Sequence, residues 1–389
     1  MDLETLKASA APHLRKFYPK TVDLNFSGTT PPELFVGEAQ YPNVYAGILS
    51  PTTHDDESST LTKPELWYQK KLSINDILFL RSSLIYARFK TPIKNFGGRL
   101  IETMQEVSMS IQPTAVSFEL KKKPRENLQF DARHPPIGNA APVIKTTLED
   151  NPVIPRKIDR LVNDTDAKAT TAIEELYKSN FDVTNIMKLL SAGLLGIKKA
   201  RKLTPTKWSI TAVDSLLSKK HLNDIRTYQP LSTYEVYHQE YLGNHYEILY
   251  LPRTWSYEVI EHSLPSQAYP TGGFWTDQEG YKNRTTYADS VVGAYYANRL
   301  AVTEHLKRKQ RQATVIIFRE VKPEYWAPCG VGILRETVRD AFKKPGEQFN
   351  TLPEALHMIQ TRLQTPINEY LKNSKLYHDV KEQRTLLEY

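Results

Sequence analysis

The sequence carries a single cysteine, Cys329. An internal disulfide is therefore excluded, and so is a zinc site built on cysteine thiolates. No apolar run approaches the roughly 20 residues a helix needs to cross a bilayer. The N-terminus lacks a secretory signal pattern. There is no P-loop, no Gly-rich dinucleotide fingerprint, no Ser/His/Asp signature and no internal repeat. His134, in the extended stretch His134-Pro-Pro-Ile-Gly138, has no second histidine or cysteine at ligand spacing. The adjacent acids Asp55, Asp56 and Glu57 lie in a polar stretch and read as a solvated loop.

What is present is ordinary globular composition, 40% apolar and 24% charged over 389 residues, enough for two domains. Lysine and arginine number 51 against 44 acids, a net charge of +7. That mildly favours an acidic partner such as nucleic acid. With the single cysteine, it fits a cytoplasmic, nucleoid-associated protein with no membrane partner.

The hydrophobic pattern predicts an α+β fold. Strands cluster at 34–49, 106–120, 235–251 and 313–319, and helices at 64–88, 165–202, 287–308 and 335–363. Pro64 suits the first turn of a helix. Thr351 and Glu354 form a capping box at another. Glu235–Tyr241 and His245–Leu251 read as a hairpin joined at Gly243-Asn244. Ala313–Phe318 is an unbroken apolar run, which predicts a strand buried on both faces. Ser263–Tyr281 reads as a loop or lid, Lys121–Arg125 as a solvated basic run, and 165–202 as a helical hairpin rather than a helix-turn-helix.

Two stretches carry chemistry. Around residues 287–340, Arg299 interrupts the helical stripe Val291, Tyr295, Val302 and Leu306. Arg319 and Glu320 end the buried strand, and Arg335 and Arg339 are one helical turn apart. The pattern allows a cleft holding Arg299, Arg319, Arg335 and Arg339 with Glu304, Glu320 and Glu336. It equally allows an internal ion-pair network. The second stretch is Arg201-Lys-Leu-Thr-Pro-Thr-Lys-Trp-Ser-Ile-Thr-Ala-Val-Asp214. A loop of cations and hydroxyls before a helix suits phosphate oxygens, since the helix N-terminus adds free N–H groups and partial positive charge. Arg201, Lys202, Thr206 and Lys207 are the candidate phosphate ligands there. Trp208 either stacks a base or packs the loop down. Arg311 adds a cation in the basic run after the 287–308 helix.

Several runs resemble the archaeal Nre family of DNA repair proteins. They are Phe35-Val-Gly, Tyr41-Pro-Asn-Val-Tyr-Ala-Gly, the long run at 201–214, Tyr241-Leu-Gly-Asn, Tyr295-Tyr-Ala-Asn-Arg-Leu-Ala-Val, Arg311-Gln-Ala and Phe318-Arg-Glu. The resemblance runs from about residue 30 to the C-terminus. It implies a lead at 1–29, a larger N-terminal domain at 30–280, a smaller helix-rich C-terminal domain at 281–375 and a tail at 376–389. It also implies a role in DNA repair and association with the sliding clamp PCNA. The tail resembles a PCNA-interacting motif, with Gln383, Leu386 and Tyr389 at its positions and one aromatic where fuller motifs have two. Leu386 and Tyr389 would enter an apolar groove while Gln383 is held by hydrogen bonds. Many family members begin with a cysteine-rich zinc segment. This chain has no cysteine before Cys329, so no metal is expected there.

The resulting expectation is a clamp-recruited factor that binds DNA through its basic elements, with no cofactor established. The alternative is a metal-dependent nuclease using Mg²⁺ or Mn²⁺, or another DNA-processing enzyme, acting at the carboxylate/arginine cleft with Glu304, Glu320 and Arg319 as its catalytic candidates.

Overall fold

The run expected to be doubly buried is an interior strand of a sheet. In the computed structural model, which describes residues 22–125, 127–266 and 271–382, it spans Thr314–Val321 with every residue buried. The chain folds as two units. Among the described residues, one takes 22–216 and 328–332, and the other takes 217–266, 271–327 and 333–382.

The first unit contains β1 (Asn25–Thr30), β2 (Leu34–Val36), β3 (Asn43–Ser50), α1 (Pro64–Gln69), α2 (Ile74–Ser82), β4 (Ile85–Pro92), α3 (Arg99–Met109) and β5 (Thr114–Leu120). It continues with β6 (Leu128–Gln129), β7 (Ile137–Gly138), β8 (Ala140–Leu148), α4 (Arg156–Asn163), α5 (Ala169–Lys178) and α6 (Val183–Ser191). The start of α7 (Thr206–Ile225) closes it. Six strands form a sheet in the order β1-β5-β8-β4-β3-β2. Only the β4–β8 pairing in it is parallel. Burial in β5 alternates strictly along the strand, as expected of a sheet with one covered face. Helix α3 packs against β3 and β8, and α6 packs against α3 and β2. A small core of Phe35, Leu49, Leu84, Tyr86 and Ile137 lies around β2–β4.

Three expectations fail in this unit. Of the strand cluster read at 106–120, residues 106–109 close helix α3 and only Thr114–Leu120 is a strand. The helical stretch read over 64–88 ends at Ser82, and Ile85, Tyr86 and Ala87 enter β4. No glycine or proline separates the two elements, so the sequence gives no break. The helix read through 202 ends at Ser191, and only a 3-10 turn follows at Lys198–Ala200. Gly193 and Gly196 adopt positive φ and interrupt it.

The second unit holds β9 (Tyr234–Tyr241), β10 (Asn244–Leu251), β11 (Ser256–Ser263), β12 (Gly273–Glu279), α8 (Gly293–Lys309), β13 (Thr314–Val321) and α9 (Val331–Ala341), whose first turn belongs to the first unit. It ends with β14 (Glu347–Phe349), α10 (Leu352–Gln360), α11 (Ile367–Asn373) and α12 (Lys375–Glu382). Its sheet runs β12-β11-β13-β10-β9-β14, with β11 and β13 parallel. The hairpin turn is Leu242-Gly243, both at positive φ, one residue before the expected position. The Ser263–Tyr281 stretch contributes β12 as well as a loop.

Helices cover both faces of this second sheet. Val236, Leu249, Leu251, Ile260, Ile316 and Phe318 pack against residues of α10–α12. On the other face, Tyr257 Oη donates to the Tyr295 carbonyl of α8 at 3.2 Å. The capping box read from sequence starts α10, with the Thr351 amide 3.0 Å from Glu354 Oε2. The architecture is α+β, as the pattern predicts.

Candidate functional site

In the second unit the arginines and acids singled out by sequence do not converge on one cleft. Arg339 meets acids of the set, Glu304 and Glu336, whereas Arg299 and Arg319 pair with acids outside it. Neighbouring residues of a strand face opposite sides of the sheet, so Arg319 and Glu320 of β13 cannot share a cleft. Arg319 pairs with Glu261 and donates to Asn244 Oδ1. Its guanidinium pKa is raised: burial acts to lower it, but Glu261, Tyr246 and Tyr325 together outweigh burial. Glu320 lies on the other face and accepts the amides of Gln364 at 3.1 Å and Thr365 at 2.9 Å, just before α11. Arg299 reaches Glu279 through Nε at 2.8 Å and Nη2 at 3.0 Å, and Ser218 Oγ through Nη1 at 2.6 Å. Arg339 holds both oxygens of Glu304, at 2.8 and 2.6 Å, and Glu336 at 2.6 Å. Arg335 is fully buried in α9.

Glu258 and Glu247 repeat the pattern of Glu320. Glu258 receives Ser374 Oγ and the amides of Lys375 and Leu376 at the start of α12. Glu247 receives Arg362 at 2.8 and 2.9 Å. Three buried carboxylates thus tie the C-terminal helices to the sheet. Charge satisfied this way stabilises packing and leaves little free for chemistry. Among the described residues, no group of three or more His, Cys, Asp or Glu is arranged to hold a metal ion.

In the first unit, two exposed aromatics and a lysine come together at one place. The β2–β3 connection and the loop leading into α7 come together. The Val36 amide donates to Thr206 Oγ1 at 2.9 Å, and the Leu203 amide to the Ile93 carbonyl at 2.8 Å. Thr206 is therefore a tether between the loop and β2. Lys207 is committed to a pair of acids, Glu38 and, at 3.0 Å, Asp131. Burial pushes the Asp131 carboxyl up, but His134, Arg133 and Lys207 outweigh it and hold it at about 2. Arg201 donates to the carbonyls of Gly196 at 2.7 Å and Asp164 at 2.9 Å, which fixes the loop.

What these anchors present outward is Trp208, Tyr41 and Lys202. Trp208 is 40% exposed and Tyr41 38%, although both are large apolar groups. Their ring centroids are 5.0 Å apart at 49°. The Trp208 indole N–H donates to Glu38 Oε2 at 3.2 Å, which sets the ring's orientation. Lys202 Nζ lies 3.3 Å from the Tyr41 hydroxyl and 6.0 Å from its ring centroid. Lys198 and Lys199 are exposed on the same loop, and Lys94 is exposed next to the Ile93 carbonyl that holds Leu203. Of the residues proposed from sequence, Lys202 and Trp208 face out together here. Arg311 is exposed in the second unit, bonded to the Gln310 carbonyl at 3.0 Å. Sequence reasoning passed over Tyr41 and Glu38. Tyr41 lies in a quoted signature run, but nothing in the spacing pairs it with Trp208, 167 positions later by subtraction of the residue numbers.

Gln383, Leu386 and Tyr389 lie outside the described residues. Among the described residues no helix is long and apolar enough to cross a membrane.

Comparison with known proteins adds to this geometry. Residues 9–270 match the family described as archaeal Nre, N-terminal, and residues 279–389 match archaeal Nre, C-terminal. A protein named DNA repair protein NreA from Haloferax volcanii is 33% identical over 359 residues, 90% of this chain and 86% of that protein. DNA repair protein NreB from Archaeoglobus fulgidus is 34% identical over 373 residues, 95% of this chain and 93% of that one. DNA repair protein NreA from the same organism is 34% identical over 347 residues, 88% of this chain and 86% of its own length. No solved structure matches the chain. The two matched regions and the identity across most of each relative lead to one conclusion: this chain belongs to the archaeal Nre family.

Proposed function

We propose that the chain is a DNA repair factor that engages unpaired DNA through the Tyr41–Trp208 surface and is recruited to the PCNA clamp by Gln383, Leu386 and Tyr389. The repair role is carried over from the relatives, which are named DNA repair proteins. The observation that supports DNA contact is the pair of exposed aromatics with Lys202 beside them; Lys198 and Lys199 are exposed on the loop that carries Lys202, and Lys94 is exposed next to the Ile93 that anchors it. Bases of a single strand stack on such rings, and lysines track its phosphates. Glu38 does not oppose this, because its charge is met by Lys207.

The test is binding of labelled single-stranded and duplex DNA by the wild-type protein and by Trp208→Ala, Tyr41→Ala and Lys202→Ala. Each aromatic replacement should weaken single-strand binding by roughly 1–3 kcal/mol. Lys202→Ala should flatten the log–log salt slope by about 0.7 for a single strand. Unchanged affinity in the aromatic variants would remove this surface from the reading. Repeating the incubation with Mg²⁺ or Mn²⁺ tests the alternative, since strand scission would favour a metal-dependent nuclease.

A further inference from the structure

A second surface of the first unit holds cations of a different kind. Arg81, Arg284, Arg299, Arg319, Arg339 and Arg362 each have a carboxylate within ion-pair distance. Arg88 and Arg125 have none among the described residues, and both line one cavity of about 110 Å³. Asn127 and Gln129 complete its polar wall, and Tyr86 and Gly138 its apolar side. No acid lines it.

The cavity is positioned by pairing rather than by its side chains alone. Arg88 lies in β4, opposite Gly47 of β3 and Pro142 of β8. Its guanidinium carbon lies 4.3 Å from the Tyr45 ring centroid and 5.9 Å from that of Tyr86. The Tyr86 hydroxyl is 3.1 Å from both the Phe35 and Tyr45 carbonyls, which holds that ring in place. The Arg125 amide donates to the Ala140 carbonyl at 3.3 Å, and the Asn139 amide to the Asn127 carbonyl at 3.1 Å. Gln129 pairs with Ile137 between β6 and β7. A half-buried guanidinium stacked on aromatic faces keeps its N–H fork free at the edge, which is the geometry that grips an oxyanion.

We propose that Arg88 and Arg125, with the amides of Asn127 and Gln129, form a binding site for a phosphate group. The volume has room for several waters, each taking about 30 Å³ of liquid. It therefore suits a phosphate head and leaves whatever is attached to that head outside. Beyond the rim, Lys90 shares the Arg88 face of β4 by two-residue spacing and is exposed. Lys121, also exposed, donates its amide to the Pro142 carbonyl at 2.7 Å, on the strand position opposite Arg88. The same phosphate chemistry is offered by inorganic phosphate, by a mononucleotide and by the phosphorylated end of a nucleic acid. The site does not rest on the DNA reading above, since it uses none of the same residues.

The experiment is calorimetric titration of the full chain with inorganic phosphate, with a nucleoside monophosphate, and with a 5′-phosphorylated oligonucleotide beside its 5′-hydroxyl twin. Saturable binding of at least one phosphate-bearing probe is expected. It should weaken about tenfold or more in Arg88→Gln and in Arg125→Gln, as loss of a charge-assisted pair implies. Arg125 is exposed, so its replacement reads the site even if Arg88→Gln disturbs the stacking on Tyr45. The probe bound most tightly identifies the source of the phosphate. The 5′-hydroxyl oligonucleotide reports DNA affinity alone, so the phosphate increment and DNA binding fail separately. Absence of saturable binding by all three phosphates would overturn the proposal, and so would an affinity unchanged by Arg125→Gln.

Discussion

Arg299 is a buried charge for which the sequence allows two readings, a cleft residue and a member of an internal ion-pair network. In the helical pattern it looks like a functional intruder in an apolar stripe. In the fold it meets Glu279 through two nitrogens, and Glu279 also accepts the Trp255 indole N–H at 3.1 Å and the Arg284 amide at 3.3 Å. Glu279→Gln leaves Arg299 charged and poorly compensated. Breaking a buried pair in this way costs about 3–5 kcal/mol, which should appear as a lower urea midpoint. Replacing both partners, Arg299→Met with Glu279→Leu, should recover much of that loss, because it removes the desolvated charges together. The double variant should also bind DNA as the wild type does. A folded double variant with weakened DNA binding would instead give Arg299 a direct role in contact. Arg88 and Arg125 are among the arginines that differ from this pattern, since neither has an acid within ion-pair distance among the described residues, and these two line one cavity.

At the scale of elements, the loop between α6 and α7 decides whether Lys202 and Trp208 can act together. Gly193 sits at φ +71°, and a Cβ there would lie 2.9 Å from the Lys202 carbonyl carbon and oxygen. Gly193→Ala therefore both strains the backbone and displaces the strand of loop that carries Lys202. A left-handed non-glycine residue costs roughly 1–2 kcal/mol before the clash is counted. The expected outcome is a destabilised first unit together with weaker single-strand binding. Wild-type affinity in this variant would mean that the loop's position does not matter for contact. The same glycine marks what was legible in the chain. Elements announced by local chemistry were readable: β13 from its unbroken apolar run, α10 from Thr351 and Glu354, α1 from Pro64. Elements set by pairing were not. β4 follows α2 without a breaker, because its strand character comes from β3 and β8 on either side. The run 194–202 has helical spacing, and two positive-φ glycines overrule it. Trp208 was visible as a candidate, but Tyr41 is its partner through contacts between distant segments, the Val36–Thr206 hydrogen bond and the Glu38 bonds to Lys207 and Trp208 among them.

At the scale of the molecule, family regions and folding units divide the chain differently. The family regions meet between residues 270 and 279. The units change at 216–217, and residues 328–332 return to the first. Removing either family region would therefore cut through a unit, and the tail is better probed by substitution than by domain dissection. The second unit offers a firm base for that test. The start of α12 is pinned to the sheet by Glu258, which accepts the Lys375 amide at 2.9 Å and the Leu376 amide at 3.3 Å. Substitutions beyond Glu382 leave these bonds in place, so a loss of clamp association could not be ascribed to a loosened helix. Leu386→Ala with Tyr389→Ala removes the apolar anchors on which a groove-bound motif depends. Co-elution with PCNA should be abolished in this variant, while its single-strand DNA affinity and urea midpoint remain those of the wild type. Retained co-elution would break the link between this tail and the clamp, and DNA contact through the first unit would then be the route by which the protein reaches damaged sites.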